Sequence, residues 1–64
     1  MIDDPDIFRA AKLLIEGYGE RADLSANRRR KELLLRGYVE ASKLWGEVVA
    51  AIEELQRTGK DGER

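Results

Sequence analysis

The sequence predicts an all-α protein, a small antiparallel three-helix bundle, and three observations support this. Apolar residues recur at helical spacing in three segments, which we predict as helices at about 5–18, 20–36 and 39–57. Glycines separate the segments, and no stretch shows the alternation typical of a strand. A chain of 64 residues has room for one domain. We expect it to span residues 1–57, with residues 58–64 as a flexible C-terminal tail.

The first predicted helix has recognisable signals at both ends. Asp4 is suited to cap its N-terminus, and Pro5 suits the first helical position, where a missing N–H costs nothing. Apolar residues then cover a wide arc, as expected for a helix that contacts two neighbours. Gly19 follows as the residue expected to end the helix in a left-handed conformation.

The second predicted helix has apolar residues on two sides. Ala22, Ala26 and Leu33 share one face, which we expect to point toward the core. Leu24 and Leu35 project from nearly the opposite side. The sequence therefore predicts a helix whose leucines a single three-helix bundle cannot all bury.

The start of the second helix stays open, because it could begin at residue 20 or after a cap at residue 23 or 25. Charge patterning favours its pairing with the third helix. Residues 20–36 carry six basic and three acidic side chains, and residues 39–56 carry one basic and four acidic ones. We expect these opposite charges to attract modestly, by about 0.2–1 kcal/mol for each exposed pair.

The third predicted helix has the most continuous apolar stripe. Trp45 lies at its centre, as a core anchor or, alternatively, an interface anchor. Gly46 beside it indicates a close approach by another helix or simple tolerance of glycine at an exposed site. The side chains expected to anchor the core of the bundle are Phe8, Leu14, Ile15, Leu33, Trp45, Val48, Ile52 and Leu55.

Missing residue types exclude many kinds of chemistry. The chain has no Cys and no His, so no zinc finger, haem-His ligation or His-based catalytic triad can be built from it. A domain of this size also has little room for a substrate pocket of about 300 Å³ or more. We therefore expect no enzymatic activity, no catalytic residue, no metal, no cofactor and no small-molecule substrate.

The hydropathy pattern gives expectations about location. No apolar stretch approaches the roughly 18 residues that a transmembrane helix needs, so we expect no membrane partner. The N-terminal residues are acidic where a secretion signal is basic and apolar. These observations predict a cytoplasmic protein.

The second helix holds the residues expected to carry function. A domain this small buries only about 60% of its unfolded surface, and neither a disulfide nor a metal is available to stabilise it further. We therefore predict a non-enzymatic protein-interaction module that docks through helix two, either as a symmetric homodimer or with another protein partner. The interaction candidates are Leu24, Arg28, Lys31, Leu34, Leu35 and Arg36.

Two alternatives stay open for the basic run at residues 28–36. It could contact nucleic acid in a small regulatory protein, although such sites usually combine a wider basic patch with stacking aromatics. The chain could also inhibit a larger bacterial or phage complex, since such inhibitors share its size and its lack of catalytic chemistry.

Several short motifs resemble a group of small, uncharacterised bacterial helical proteins. The resemblance covers roughly residues 6–57 and rests on Asp-Ile-Phe-Arg-Ala-Ala at 6–11, Gly19, Trp45 and Glu-Glu-Leu-Gln at 53–56. It implies an apolar first helix, an Arg-containing second helix and a Trp-bearing third helix, with no assigned activity. This chain has Tyr18 and Tyr38 where that group has His and Asp in its turns.

Overall fold

A computed structural model describes the backbone of residues 5–62 and the side chains of residues 5–57. It contains α1 (Pro5–Tyr18), a 3-10 turn (Gly19–Arg21), α2 (Ala22–Leu35) and α3 (Val39–Gly62). Within 5–62 only residues 36–38 lie outside a helix. The predicted all-α class and three-helix bundle are confirmed.

The connection between α1 and α2 is a single 3-10 turn. Gly19 begins this turn with a φ of 61°, as its predicted role at the end of the first helix requires. The α-helical part of the second segment begins at Ala22, two residues after the earliest predicted start. The predicted cap, Asp4, lies outside the described residues.

A Schellman motif ends α2. The N–H of Tyr38 donates to the carbonyl oxygen of Leu33 at 2.9 Å, and the N–H of Gly37 donates to that of Leu34 at 3.0 Å. Gly37 has a φ of 89°, a conformation that side chains disfavour. This tight turn brings α3 back along α2.

Contacts between the helices establish their directions. Ser42, near the start of α3, lies beside Arg30, which is late in α2, whereas Gln56 reaches Gly19, just before α2. α2 and α3 are therefore antiparallel. The first residues of α1 line a groove together with Val48, and the end of α1 lies near Gln56, so α1 and α3 run in the same direction.

The core is small and rich in alanine. Its buried side chains are Ile7, Ala11, Ala22, Ala26, Val48, Ala51 and Ile52. The side chains of α2 that reach it are both alanines, so α2 approaches the other helices closely. Most of the apolar area in the core comes from α1 and α3.

The predicted core anchors occupy three environments. Val48 and Ile52 are buried, whereas five others are half-buried and pack against the core. Those five are Phe8, Leu14, Ile15, Trp45 and Leu55. Leu33 is half-buried at the end of α2, outside this cluster.

The predicted end of the third helix at residue 57 is five residues too early, because α3 continues to Gly62. The apolar pattern stops at Leu55, so periodicity alone gives no reason to extend the helix. Residues that follow a formed helix add backbone hydrogen bonds without a new nucleation cost. The flexibility predicted for residues 58–64 stays a prediction.

A polar contact joins α2 to α3. The hydroxyl of Ser42, which is buried, donates to the carbonyl oxygen of Arg30 at 3.1 Å. The Arg30 side chain then passes over Gly46, where an added Cβ atom would lie 3.4 Å from the Cδ atom of Arg30. Gly46 therefore faces a flexible side chain, and α2 does not press its backbone against this position.

In the part of the chain that the structure describes, no helix combines the length and apolar character needed to cross a membrane.

Substitutions at two glycines should have opposite effects on stability. We expect Gly46→Ala to raise the free energy of unfolding by up to about 1 kcal/mol, because alanine favours the helix and its Cβ meets only the Arg30 side chain. Gly37→Ala should lower it by about 1–2 kcal/mol, because its φ is positive. Urea denaturation measures both. Equal destabilisation would show that the α2–α3 contact has no room for a methyl group.

Two aliphatic residues that differ in burial should respond differently to truncation of their side chains. Ile52 is 0% exposed and Leu35 is 87% exposed. We expect Ile52→Val to cost about 0.5–1.5 kcal/mol of stability, because it leaves a small cavity. Leu35→Ala should change stability by less than about 0.5 kcal/mol. Thermal melts at low protein concentration compare the two, and a larger effect at Leu35 would contradict this core.

Candidate functional site

The outward side of α2 carries a stripe of four residues, the docking face: Leu24, Arg28, Lys31 and Leu35. Their spacings of three or four residues place them within about 60° of one another around the helix. All four are exposed, with Leu24 at 64% and Leu35 at 87%. The two leucines lie about 16 Å apart along the axis and bracket the two basic residues.

The docking face points away from α3. The opposite side of α2 is buried at Ala22 and Ala26, because these alanines pack into the core. The leucines of α2 are therefore outside for a geometric reason: the helix buries its small side chains and exposes its large ones. This arrangement agrees with the prediction that one bundle cannot cover all of them.

The remaining interaction candidates lie near the turn after α2. Leu34 is 49% exposed. Around the helix axis, it lies about 80–100° from the centre of the docking face. Arg36 is exposed and caps α2 through its backbone N–H, which donates to the Glu32 carbonyl oxygen at 3.1 Å. Tyr38 and Val39 are also exposed, so this tip of the molecule presents several apolar side chains beside Arg36.

The basic side chains of the docking face have no acidic partner within the described residues. Arg29 pairs with Glu32 at 3.4 Å within α2, and Arg9 pairs with Asp6 at 3.8 Å within α1. The described residues therefore form no ion pair between α2 and α3, although the sequence predicts an attraction between these helices. Small residues separate the two helices, and Arg30, which lies at their contact over Gly46, has no acidic partner among the described residues.

A groove beside the docking face combines arginine with tyrosine. It has a volume of about 460 Å³ and is lined by Tyr18, Arg21, Leu24, Ser25 and Arg28. Tyr18 is 56% exposed. We call this the arginine–tyrosine groove, and it shares Leu24 and Arg28 with the docking face.

Trp45 lies between two further depressions. One, of about 250 Å³, adjoins the arginine–tyrosine groove and includes Trp45 and Arg29. The other, of about 300 Å³, lies between α1 and α3, with Trp45 next to Leu44. Trp45 is half-buried, so its ring packs on the core and also reaches the surface. The predicted roles as core anchor and as interface anchor are therefore compatible.

Sequence reasoning missed Tyr18, Arg21 and Ser25 as members of one site. Tyr18 ends α1, Arg21 lies in the 3-10 turn and Ser25 is in α2, so only the turn geometry brings them together. The one signal available in the sequence was the position of Tyr18 next to Gly19, because a tyrosine beside a helix-ending glycine places an aromatic ring at the helix end.

Within residues 5–57 no group of three His, Cys, Asp or Glu side chains is placed to hold a metal ion. No family model, no curated protein and no solved structure matches this chain. The resemblance to small bacterial helical proteins therefore stays a prediction.

Proposed function

We propose that this protein is a non-enzymatic interaction module that docks through α2 and self-associates. The observation that supports the proposal is the docking face itself, where Leu24 and Leu35 are 64% and 87% exposed. Leucines aligned on one helix face are a recurring means of helix-mediated recognition. Arg28 and Lys31 between them supply charge that no described residue neutralises. A cytoplasmic location stays a prediction.

Stability considerations favour association. The core is built largely from alanines, so it buries less apolar area than a core of the same number of leucines would. Domains of this size rarely obtain more than about 3–5 kcal/mol from their own core. Covering Leu24 and Leu35 in a complex would add apolar burial that the isolated chain lacks.

A leucine substitution tests docking through α2. We expect the wild-type chain to sediment above its monomer mass of 7.3 kDa at micromolar or higher concentration, with a mass that rises with concentration. Leu24→Glu should return it to the monomer, because it places a charge in the apolar contact. Leu13→Glu is the matched control, since Leu13 is 62% exposed but lies on α1.

Two results would contradict the proposal. One is a wild-type chain that stays at 7.3 kDa at every concentration. The other is equal loss of association in the Leu13 and Leu24 variants, which would place the contact away from α2.

The arginine–tyrosine groove supports a second candidate function, binding of single-stranded nucleic acid. Arg21 and Arg28 could contact phosphates while Tyr18 stacks on a base, the combination that such proteins use. The sequence counted against this function because such sites usually have stacking aromatics beside their basic patch. The exposure of Tyr18 removes that objection.

Binding of a labelled single-stranded oligonucleotide, followed by fluorescence anisotropy, tests this second function. We expect the dissociation constant to rise steeply with salt, because phosphate contacts release counterions. Tyr18→Ala should weaken binding by about tenfold, within the 1–3 kcal/mol range of base stacking. Tyr38→Ala is the control, since Tyr38 is 58% exposed at the other end of α2. Absence of salt-dependent binding would remove nucleic acid from consideration.

A further inference from the structure

One side of α3 carries exposed acidic residues that complement the basic residues at the start of α2. Glu40, Leu44 and Glu47 project from one side of α3, and all three are exposed. Leu44, at 51% exposure, lies between the two carboxylates along the helix. Neither glutamate has an ion-pair partner among the described residues. We call these three residues the acidic edge.

The corresponding basic edge consists of Arg21, Leu24 and Arg28, all exposed. Leu24 lies between two guanidinium groups, just as Leu44 lies between two carboxylates. Arg21 and Arg28 also line the arginine–tyrosine groove, so both point to the same side of the molecule. Like the glutamates, they have no ion-pair partner in the described part of the chain.

The spacings of the two edges match when the helices are antiparallel. Leu24 follows Arg21 by three residues and precedes Arg28 by four. Leu44 precedes Glu47 by three residues and follows Glu40 by four. At about 1.5 Å per residue, an antiparallel pair sets both leucines at one level with each arginine near a glutamate. The pairs are Arg21 with Glu47, Leu24 with Leu44, and Arg28 with Glu40.

These two edges cannot meet within one chain. α2 contacts α3 through the side that carries Ala22, Ala26 and Arg30, and α3 contacts α2 through Ser42 and Gly46. The centres of the basic and acidic edges lie on roughly the opposite sides of their helices, about 150–170° around the axis from the centres of these contacts. The basic edge therefore faces outward on the α2 side of the helix pair, and the acidic edge faces outward on the α3 side.

From this geometry we propose that the basic edge, which shares Leu24 and Arg28 with the docking face, receives the acidic edge of a second copy of this chain in a head-to-tail contact. The proposal rests on docking through α2, and it names the occupant. Because the contact uses two different surfaces, it is heterologous and leaves one free edge on each end of a pair. Further copies can then add in the same way, forming rows or a closed ring.

A second copy's α2 is a poorer occupant of the docking face. If Leu24 packed against Leu35 of the second copy in a symmetric pair, Arg28 of one chain would lie against Lys31 of the other. Like charges in direct contact oppose association. The acidic edge offers carboxylates at the level of the arginines and a leucine at the level of Leu24.

Charge reversal on each edge tests the contact by sedimentation equilibrium at concentrations up to about 0.5 mM, since a single helix pair buries less area than a standard interface. We expect R21E/R28E and E40R/E47R each to weaken association by about tenfold or more. An equimolar mixture of the two variants should associate again, because each supplies the edge that the other lacks. E16R/E53R is the control, with the same change in charge as E40R/E47R at exposed positions off the acidic edge.

The outcomes separate this inference from the proposed function. If E40R/E47R associates like the wild type while Leu24→Glu does not, docking through α2 holds but the acidic edge is not its occupant. Failure of the mixture to associate, with both variants folded by circular dichroism, also overturns the inference. Rising salt should weaken the head-to-tail contact, whereas a purely apolar α2–α2 contact would not weaken.

Discussion

The close packing of α2 against its neighbours through alanine is the constraint on which the rest of the structure depends. Ala22 and Ala26 are each 0% exposed, and they leave room for no larger side chain between the helices. Every leucine of α2 is consequently half-buried or exposed. The surface that we propose for docking is therefore a direct result of how the core is built: small side chains bring the helices together, and the large apolar ones are displaced to the outside.

The distribution of charge follows from the same packing. The sequence places excess positive charge on the second helix and excess negative charge on the third, and these charges would be expected to face each other. Ser42, Gly46, alanines and the Arg30 side chain fill the space between the helices, and the charges of Arg28 and Glu47 lie on the outer edges instead. Opposite charges that cannot pair within a chain are available to pair between chains, and their long range favours encounter of the two edges before the leucines touch.

Local features of the fold were predictable from sequence, and tertiary ones were not. The glycine turns depend on residues adjacent in the chain, so Gly19 and Gly37 could be assigned from pattern alone. The contact of the Gln56 side chain with the Gly19 carbonyl, at 2.8 Å, joins residues 37 positions apart, and no local pattern predicts it. The same distinction applies to the site. The leucines of the docking face follow from helical periodicity, whereas the place of Tyr18 beside Arg21 depends on the angle of the 3-10 turn.

A head-to-tail contact also explains why two modest edges suit this chain better than one large apolar face. A symmetric contact would need a continuous apolar surface on α2, yet Arg28 and Lys31 interrupt it between Leu24 and Leu35. With one leucine and two charges on each edge, the proposed contact would be specific in register and weak in affinity. Exposed ion pairs contribute little free energy of association, but they fix the orientation of the partners. Since every added copy would present the same two edges, we expect the extent of the proposed assembly to depend on protein concentration and ionic strength, without any change in the fold of the single chain.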